Sequence, residues 1–266
     1  MENNWCSVDE EGCVLNSKNN ILSREQYKLE LHVHTKYSHD SNFPFWLLHL
    51  MCRLRKITHI AITEHNNIRG GIAFKEYCRK RGEKINVIVG EEIMTNEGEI
   101  IGLFLEKEIE AGLSPEETIN KIKEQNGIVY VPHPYDEKRY KTVLTKDAIR
   151  RNKKKIDFIE CHNGRNISKD YDVIQNIIAD TFNIKKIIGS DAHVWFEIGR
   201  NYIVTGIEPI SVESFKLAIK DSVFLKKDYL KIAHCITKFD RVLKLFLKGD
   251  IYGLYRFIYK KFRRKM

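Results

Sequence analysis

In the stretch "LELHVHTKYSHDS", Leu29 to Ser41, two histidines stand one residue apart, with His39 and Asp40 just downstream. A strand alternates its faces, so His32 and His34 are expected on one side and Leu31 and Val33 on the other. Similar polar groups recur along the chain: Glu64 with His65, Glu91 with Glu92, His133, Glu160 to Asn163, and Asp191 with His193. Imidazole plus carboxylate without thiolate suits catalytic zinc, manganese or iron. Five histidines (His32, His34, His65, His133, His193) and three carboxylates (Asp40, Glu92, Asp191) exceed the needs of one ion. They fit two or three bridged ions, which generate hydroxide from bound water and stabilise charge on a transferring phosphoryl group. His39, His49, His59, His162 and His234 lack a supporting motif and are read as ordinary surface or core groups.

Such residues need a scaffold that brings distant positions together. Segments rich in Ile and Val at 29–35, 59–63, 85–93, 99–105, 127–133, 155–163 and 184–193 read as strands. Most are apolar on both faces, as parallel strands covered on both sides are. Helices fit between many of them, at 44–56, 71–81, 115–125 and 171–182. The third is best signalled, with Ser114 as cap, Pro115 in the first turn, Glu117 closing a capping box and Gly127 just beyond the end. This alternation predicts a parallel α/β sheet, open or closed into a barrel. The polar pairs collect at strand ends, the rim where such folds bind ligands.

The chain has 266 residues, 42% hydrophobic and 30% charged, enough for one large core. No apolar run reaches the ~20 residues of a membrane span, and the N-terminus lacks signal-peptide regions, so a cytoplasmic protein is expected. Six scattered cysteines without a CxxC pair argue against a zinc ribbon or a disulfide framework. The net charge of +9 resides in a tail: from Lys226 onward, thirteen Lys and Arg face three Asp. Residues 1–25 read as an irregular lead-in, 26–222 as the catalytic domain and 223–266 as a basic, aromatic, helical extension. Ile251, Leu254, Tyr255, Ile258 and Phe262 fall on one helical face of that extension. It suits packing on the barrel, an anionic membrane surface (hence peripheral association) or a nucleic-acid backbone. No obligate protein partner is implied.

Four signatures in order resemble the PHP (polymerase and histidinol phosphatase) family of metal-dependent phosphoesterases, in its small stand-alone form. They are "HVHTKYSHDS" at 32–41, "ITEHN" at 62–66, "VPHP" at 131–134 and "GSDAH" at 189–193, with "GEEI" at 90–93 and "IECHNGR" at 159–165 between them. The resemblance implies a distorted (β/α)7 TIM-like barrel and up to three ions. By motif, His32, His34, Glu92 and Asp191 take the first, and Glu92 bridges to a second held by His133. Asp40, His65 and His193 take the third. Glu92 is preferred to Glu91 because the family pattern is Gly, any residue, Glu. "TEH" replaces the commoner "TDH", with Glu64 not a ligand. Glu99 stands where many members carry a histidine ligand. The implied reaction is hydrolysis of a small phosphorylated metabolite or nucleotide by a metal-bound hydroxide, centred on Glu92, Asp191 and His193. Arg165, Asn163 and Arg200 are candidates for substrate binding, while Arg139 reads more as a surface arginine. A nuclease trimming oligonucleotides and a non-catalytic module binding a phosphorylated ligand are the alternatives. No GxSxG elbow or P-loop is present, and Cys161 lacks the setting of a nucleophile.

Overall fold

The computed structural model describes residues 26–253 and 255–256, together with two short paired strands, β1 (Ser7–Val8) and β2 (Val14–Leu15). All seven expected strands form: β3 (Tyr27–Val33), β4 (His59–His65), β5 (Asn86–Thr95), β6 (Gly98–Leu103), β7 (Ile128–Val131), β8 (Phe158–Asn163) and β9 (Lys185–Gly189). β10 (Tyr202–Thr205) and β11 (Val223–Leu225) follow, and the sheet order is β11-β10-β3-β4-β5-β6-β7-β8-β9. The sheet curls until the residues just past β9 reach β3. Ser190 N donates to Leu31 O, Ala192 N to His32 O, and His34 N to Ala192 O. β3 to β9 therefore make a nearly closed seven-stranded barrel, extended from β3 by the antiparallel β10 and β11.

One buried cluster takes side chains from every barrel strand, among them Leu31, Ala61, Ile88, Ile101, Tyr130, Phe158 and Ile187, as the filling of a barrel must. Phe215 stacks edge-on against Phe104 and Phe158 at its end. Two further clusters lie between the strands and the helices α1 (Phe45–Arg55), α2 (Arg69–Lys80), α3 (Pro115–Glu124), α4 (Lys146–Asn152) and α5 (Lys169–Phe182). α6 (Val212–Lys220) supplies Phe215, and α7 (Lys231–Leu247) follows β11. α3 has the expected capping box. No described helix is long and apolar enough to cross a membrane. Of the helical face expected at 251–262, Leu254, Ile258 and Phe262 lie outside the described residues, as does most of the 1–25 lead-in.

The expectation of parallel strands fails at one place. β6 runs antiparallel to both β5 and β7. Thr95 pairs with Gly98, leaving Asn96 and Glu97 as the whole link, and two residues allow a hairpin but no crossover. Gly98 holds φ +124, and a Cβ there would lie 2.5 Å from the backbone of Leu144. The hairpin tip is bonded to that same segment, Glu99 N to Thr142 O (2.8 Å) and Thr145 N to Glu97 O (3.0 Å). Gly98→Ala is therefore expected to destabilise the fold by about 1–3 kcal/mol, measured by urea unfolding.

Candidate metal centre

The rim assembles from the ends of six strands and one loop. β3 carries His32 near its end, His34 follows it directly, and the loop after it carries Asp40. β4 ends on His65, β5 contributes Glu92, His133 follows β7, and Asp191 and His193 follow β9. Because β6 is antiparallel, its beginning lies at the rim, which places Glu99 there. Glu92 is the hub. Its Oε1 lies 3.2 Å from His32 Nε2 and 3.1 Å from His133 Nε2. Its Oε2 lies 3.4 Å from His34 Nε2 and 3.0 Å from His65 Nδ1. Asp191 Oδ1 faces His32, His34 and His193 at 3.6, 3.7 and 3.5 Å. Asp40 Oδ1 faces His65 and His193 at 3.5 and 3.3 Å. Glu99 reaches His133 (3.5 Å) and His65 (3.8 Å). Glu91 instead accepts from Ile109 N, away from this cluster.

These groups fit cations. Among the described residues, His32 Nε2, His34 Nε2, Asp40 Oδ1 and Glu92 Oε2 are buried without a hydrogen bond. Such orphaned polar atoms are costly unless a cation claims their lone pairs. Overlapping triads, including His32–Glu92–His133, His32–His34–Asp191, His34–His65–His193 and His65–Glu92–Glu99, each bring donor atoms within 4.8 Å of one another.

Hydrogen bonds behind the rim aim three of the imidazoles. His32 Nδ1 meets Glu160 Oε1 at 2.9 Å, His34 Nδ1 meets Ser38 Oγ at 3.0 Å, and His193 Nδ1 meets Asp191 O at 2.9 Å. Donation at Nδ1 leaves the Nε2 lone pair facing the cluster. Glu160 also accepts from Tyr130 OH, His133 N (2.6 Å) and Asn163 Nδ2 (2.8 Å). Glu64 is no part of the cluster: it accepts from Thr35 N, Thr35 Oγ1 and Ser38 Oγ, which frees the Ser38 lone pairs for His34. Backbone strain accompanies this arrangement. His32, His133 and Asp191 have φ of 64°, 26° and 51°, uncommon for residues with a Cβ. At His32 the strand bulges, so strict alternation along β3 is broken although both imidazoles still meet Glu92.

Electrostatics follow from burial and pairing. Burial disfavours a charged Glu92, yet His32 and His65 beside it hold its carboxyl well below the usual range. Burial likewise opposes ionised Asp191 and Asp40, and neighbouring histidines, with Arg139 for Asp191, prevail. Burial and the nearby Glu92 push Glu99 up to about 7. His34 is held neutral by burial and by His193 and His65.

The arginines sort differently from the sequence reading. Arg139 is the one on a cluster carboxylate: Nη1 lies 2.5 Å from Asp191 Oδ2 and Nε 2.7 Å from Asp136 Oδ2. Only its place five residues past the end of "VPHP" pointed to it. Arg165 commits its fork to Glu197 (3.1 Å twice) and Nη2 to Thr237 Oγ1 (2.7 Å), and would have to leave that pair to touch substrate. Glu197 in turn accepts from His193 N (2.9 Å), so Arg165 braces the Asp191–His193 loop. Asn163 sits between Glu160, Arg139 and the Arg165 amide. Arg200 Nη2 donates to Asp228 O. His162 is held by Asp172 and Asn201, His49 by Glu83, and His59 by Thr58 and Asn86, all structural. The His39 ring lies tilted against His65 at the edge of the cluster, centroids 4.8 Å apart.

The family model for the PHP domain matches residues 30–165, just over half of the chain. The chain belongs to the PHP domain family. The PHP match stops short of Asp191 and His193, which the barrel nevertheless brings to the same rim. Uncharacterized protein MJ1587 of Methanocaldococcus jannaschii is 48% identical over 120 residues, covering 41% of this chain and 68% of its own. Uncharacterized protein MJ0417 of the same organism is 34% identical over 179 residues, covering 66% and 69%. Among solved structures, a two-domain protein of Bacteroides vulgatus "containing predicted PHP-like metal-dependent phosphoesterase" aligns with TM-score 0.57 at 18% identity. That alignment covers 76% of this chain and 65% of the other, and supports the shared fold.

Glu160→Gln puts an amide donor against four donors already aimed at Glu160. Affinity for Mn²⁺ is expected to fall roughly 10–100-fold by isothermal titration, with little change in far-UV circular dichroism.

Proposed function

We propose that this PHP protein hydrolyses phosphate esters, of a small phosphorylated metabolite or a nucleotide, with two or three divalent ions held by the nine rim side chains. The observation that carries this reading is the gathering of five imidazoles and four carboxylates around Glu92, with buried lone pairs left unused. In the proposed sets, His32, His34, Glu92 and Asp191 would hold one ion, Glu92 with His133 and Glu99 a second, and Asp40, His65 and His193 a third. Bound there, such ions supply Lewis acidity and lower the pKa of water toward neutrality. Glu99 makes the second subsite richer in oxygen than an imidazole would, which favours manganese there.

The chain itself supplies aim and charge. Glu160 and Ser38 fix the tautomers and ring planes of His32 and His34. Asp191 divides its oxygens, Oδ1 toward the histidines and Oδ2 toward Arg139. A phosphoryl oxygen entering beside that carboxylate meets the Arg139 guanidinium, a planar donor suited to phosphate. Cys161 is buried, which pushes its thiol pKa up and disqualifies it as a nucleophile.

Hydrolysis is to be assayed with Mn²⁺ as phosphate release from p-nitrophenyl phosphate and mononucleotides, as p-nitrophenol release from bis(p-nitrophenyl) phosphate, and as nucleotide release from a short single strand. Release is expected to stop with EDTA and in both His34→Ala and Asp191→Ala. Activity confined to the single strand would assign a trimming nuclease. A silent panel from protein that still binds ions would overturn hydrolysis in favour of a binding module. Arg139→Ala is expected to lower kcat/KM roughly 10²-fold while Mn²⁺ still binds.

A further inference from the structure

α7 lies beyond the PHP match, yet one side of it meets the loop that carries Asp40. Ala233, Thr237, Asp240 and Lys244 fall at i, i+4, i+7 and i+11, a single helical face. Lys244 reaches into the loop between β3 and α1. Its Nζ donates to Lys36 O (2.7 Å), Ser38 O (2.5 Å) and Ser41 O (2.5 Å). An ammonium has three N–H donors, and here each has a carbonyl. One turn earlier, Asp240 accepts from Asn42 Nδ2 (3.0 Å) and from Asn42 N (3.3 Å).

The loop so gripped is the inner wall of the cluster. Ser38 Oγ holds His34 and accepts from His65 N (3.2 Å). Ser41 Oγ donates to His193 O (2.7 Å). Asp40 stands between these two serines and faces both histidines. Three carbonyls turned toward one point repel each other unless a cation sits among them. Removing the ammonium therefore releases the loop on which Asp40 rides, although Lys244 touches none of the nine rim side chains.

We propose that Lys244 is a positioning residue that sets Asp40 for the ion subsite shared with His65 and His193, making α7 part of the centre. This rests on the metal-dependent reading above. The test uses the full chain, Mn²⁺ as probe and two readouts besides activity: ions bound per chain and hydrogen exchange of the amides at 36–43. Lys244→Met is expected to bind one ion fewer at concentrations that fill wild type, with that step weakened roughly 10–100-fold. Amides 36–43 exchange faster, and circular dichroism is unchanged. Lys244→Arg recovers part of the lost step. Phe239→Ser, at an exposed position of the same helix, leaves both readouts alone. Should Lys244→Met fail to fold, Asp240→Ala loosens the same loop through Asn42 and is scored identically. Wild-type stoichiometry and exchange in the folded variants overturn the positioning role. A wild-type chain that binds no Mn²⁺ overturns the metal centre itself.

Discussion

Four carboxylates do not share a buried space a few ångströms across unless positive charge comes with them. The rim meets this requirement with imidazoles and one guanidinium, and its architecture follows from the need. Glu92 touches four histidines, so its position is set by groups from three different stretches of chain. Barrel closure is what brings them there. The backbone bonds between Leu31–His34 and Ser190–Ala192 lay Asp191 beside His32, across nearly the whole length of the barrel.

Much of this was legible in residue types alone. Each of the seven barrel strands was signalled by its apolar residues, largely Ile and Val, and imidazoles or acids marked most of their rim ends, whereas β10 and β11 were not foreseen. The choice of Glu92 over Glu91 came from a family pattern, and the structure turns Glu91 to the Ile109 amide. What escaped had a brief signal or none. α4 and α6 are short, seven and nine residues, and their caps, Thr145 and the Ser211–Ser214 pair, lack the Glu that marked α3. The direction of β6 was written in a link too short for a crossover, a constraint of length and not of composition. The role of Arg139 depends on a loop folding back to Asp191, and nothing local distinguishes it from a surface arginine.

Acids outside the cluster support it. Glu160 and Glu64 are both fully buried, and neither faces the cluster as a donor in any of the triads. Glu160 gathers donors from β3, β7 and its own β8, and Glu64 from the single Thr35–Ser38 turn. Glu160 holds the His32 ring and the His133 amide, both at residues of positive φ, and Glu64 holds the His34 ring through Ser38. Precision at the rim therefore depends on residues one layer behind it.

The hairpin joining β5 to β6 carries a further consequence. Glu92 and Glu99 lie on its two arms, with Met94 opposite Glu99 and Ile101 opposite Glu92, so both acids share one face of the sheet. Their phase depends on the bend between them alone: adding or deleting a single residue there would swing Glu99 to the opposite face. Across descendants of this chain, that bend should be the least tolerant of insertions on the rim.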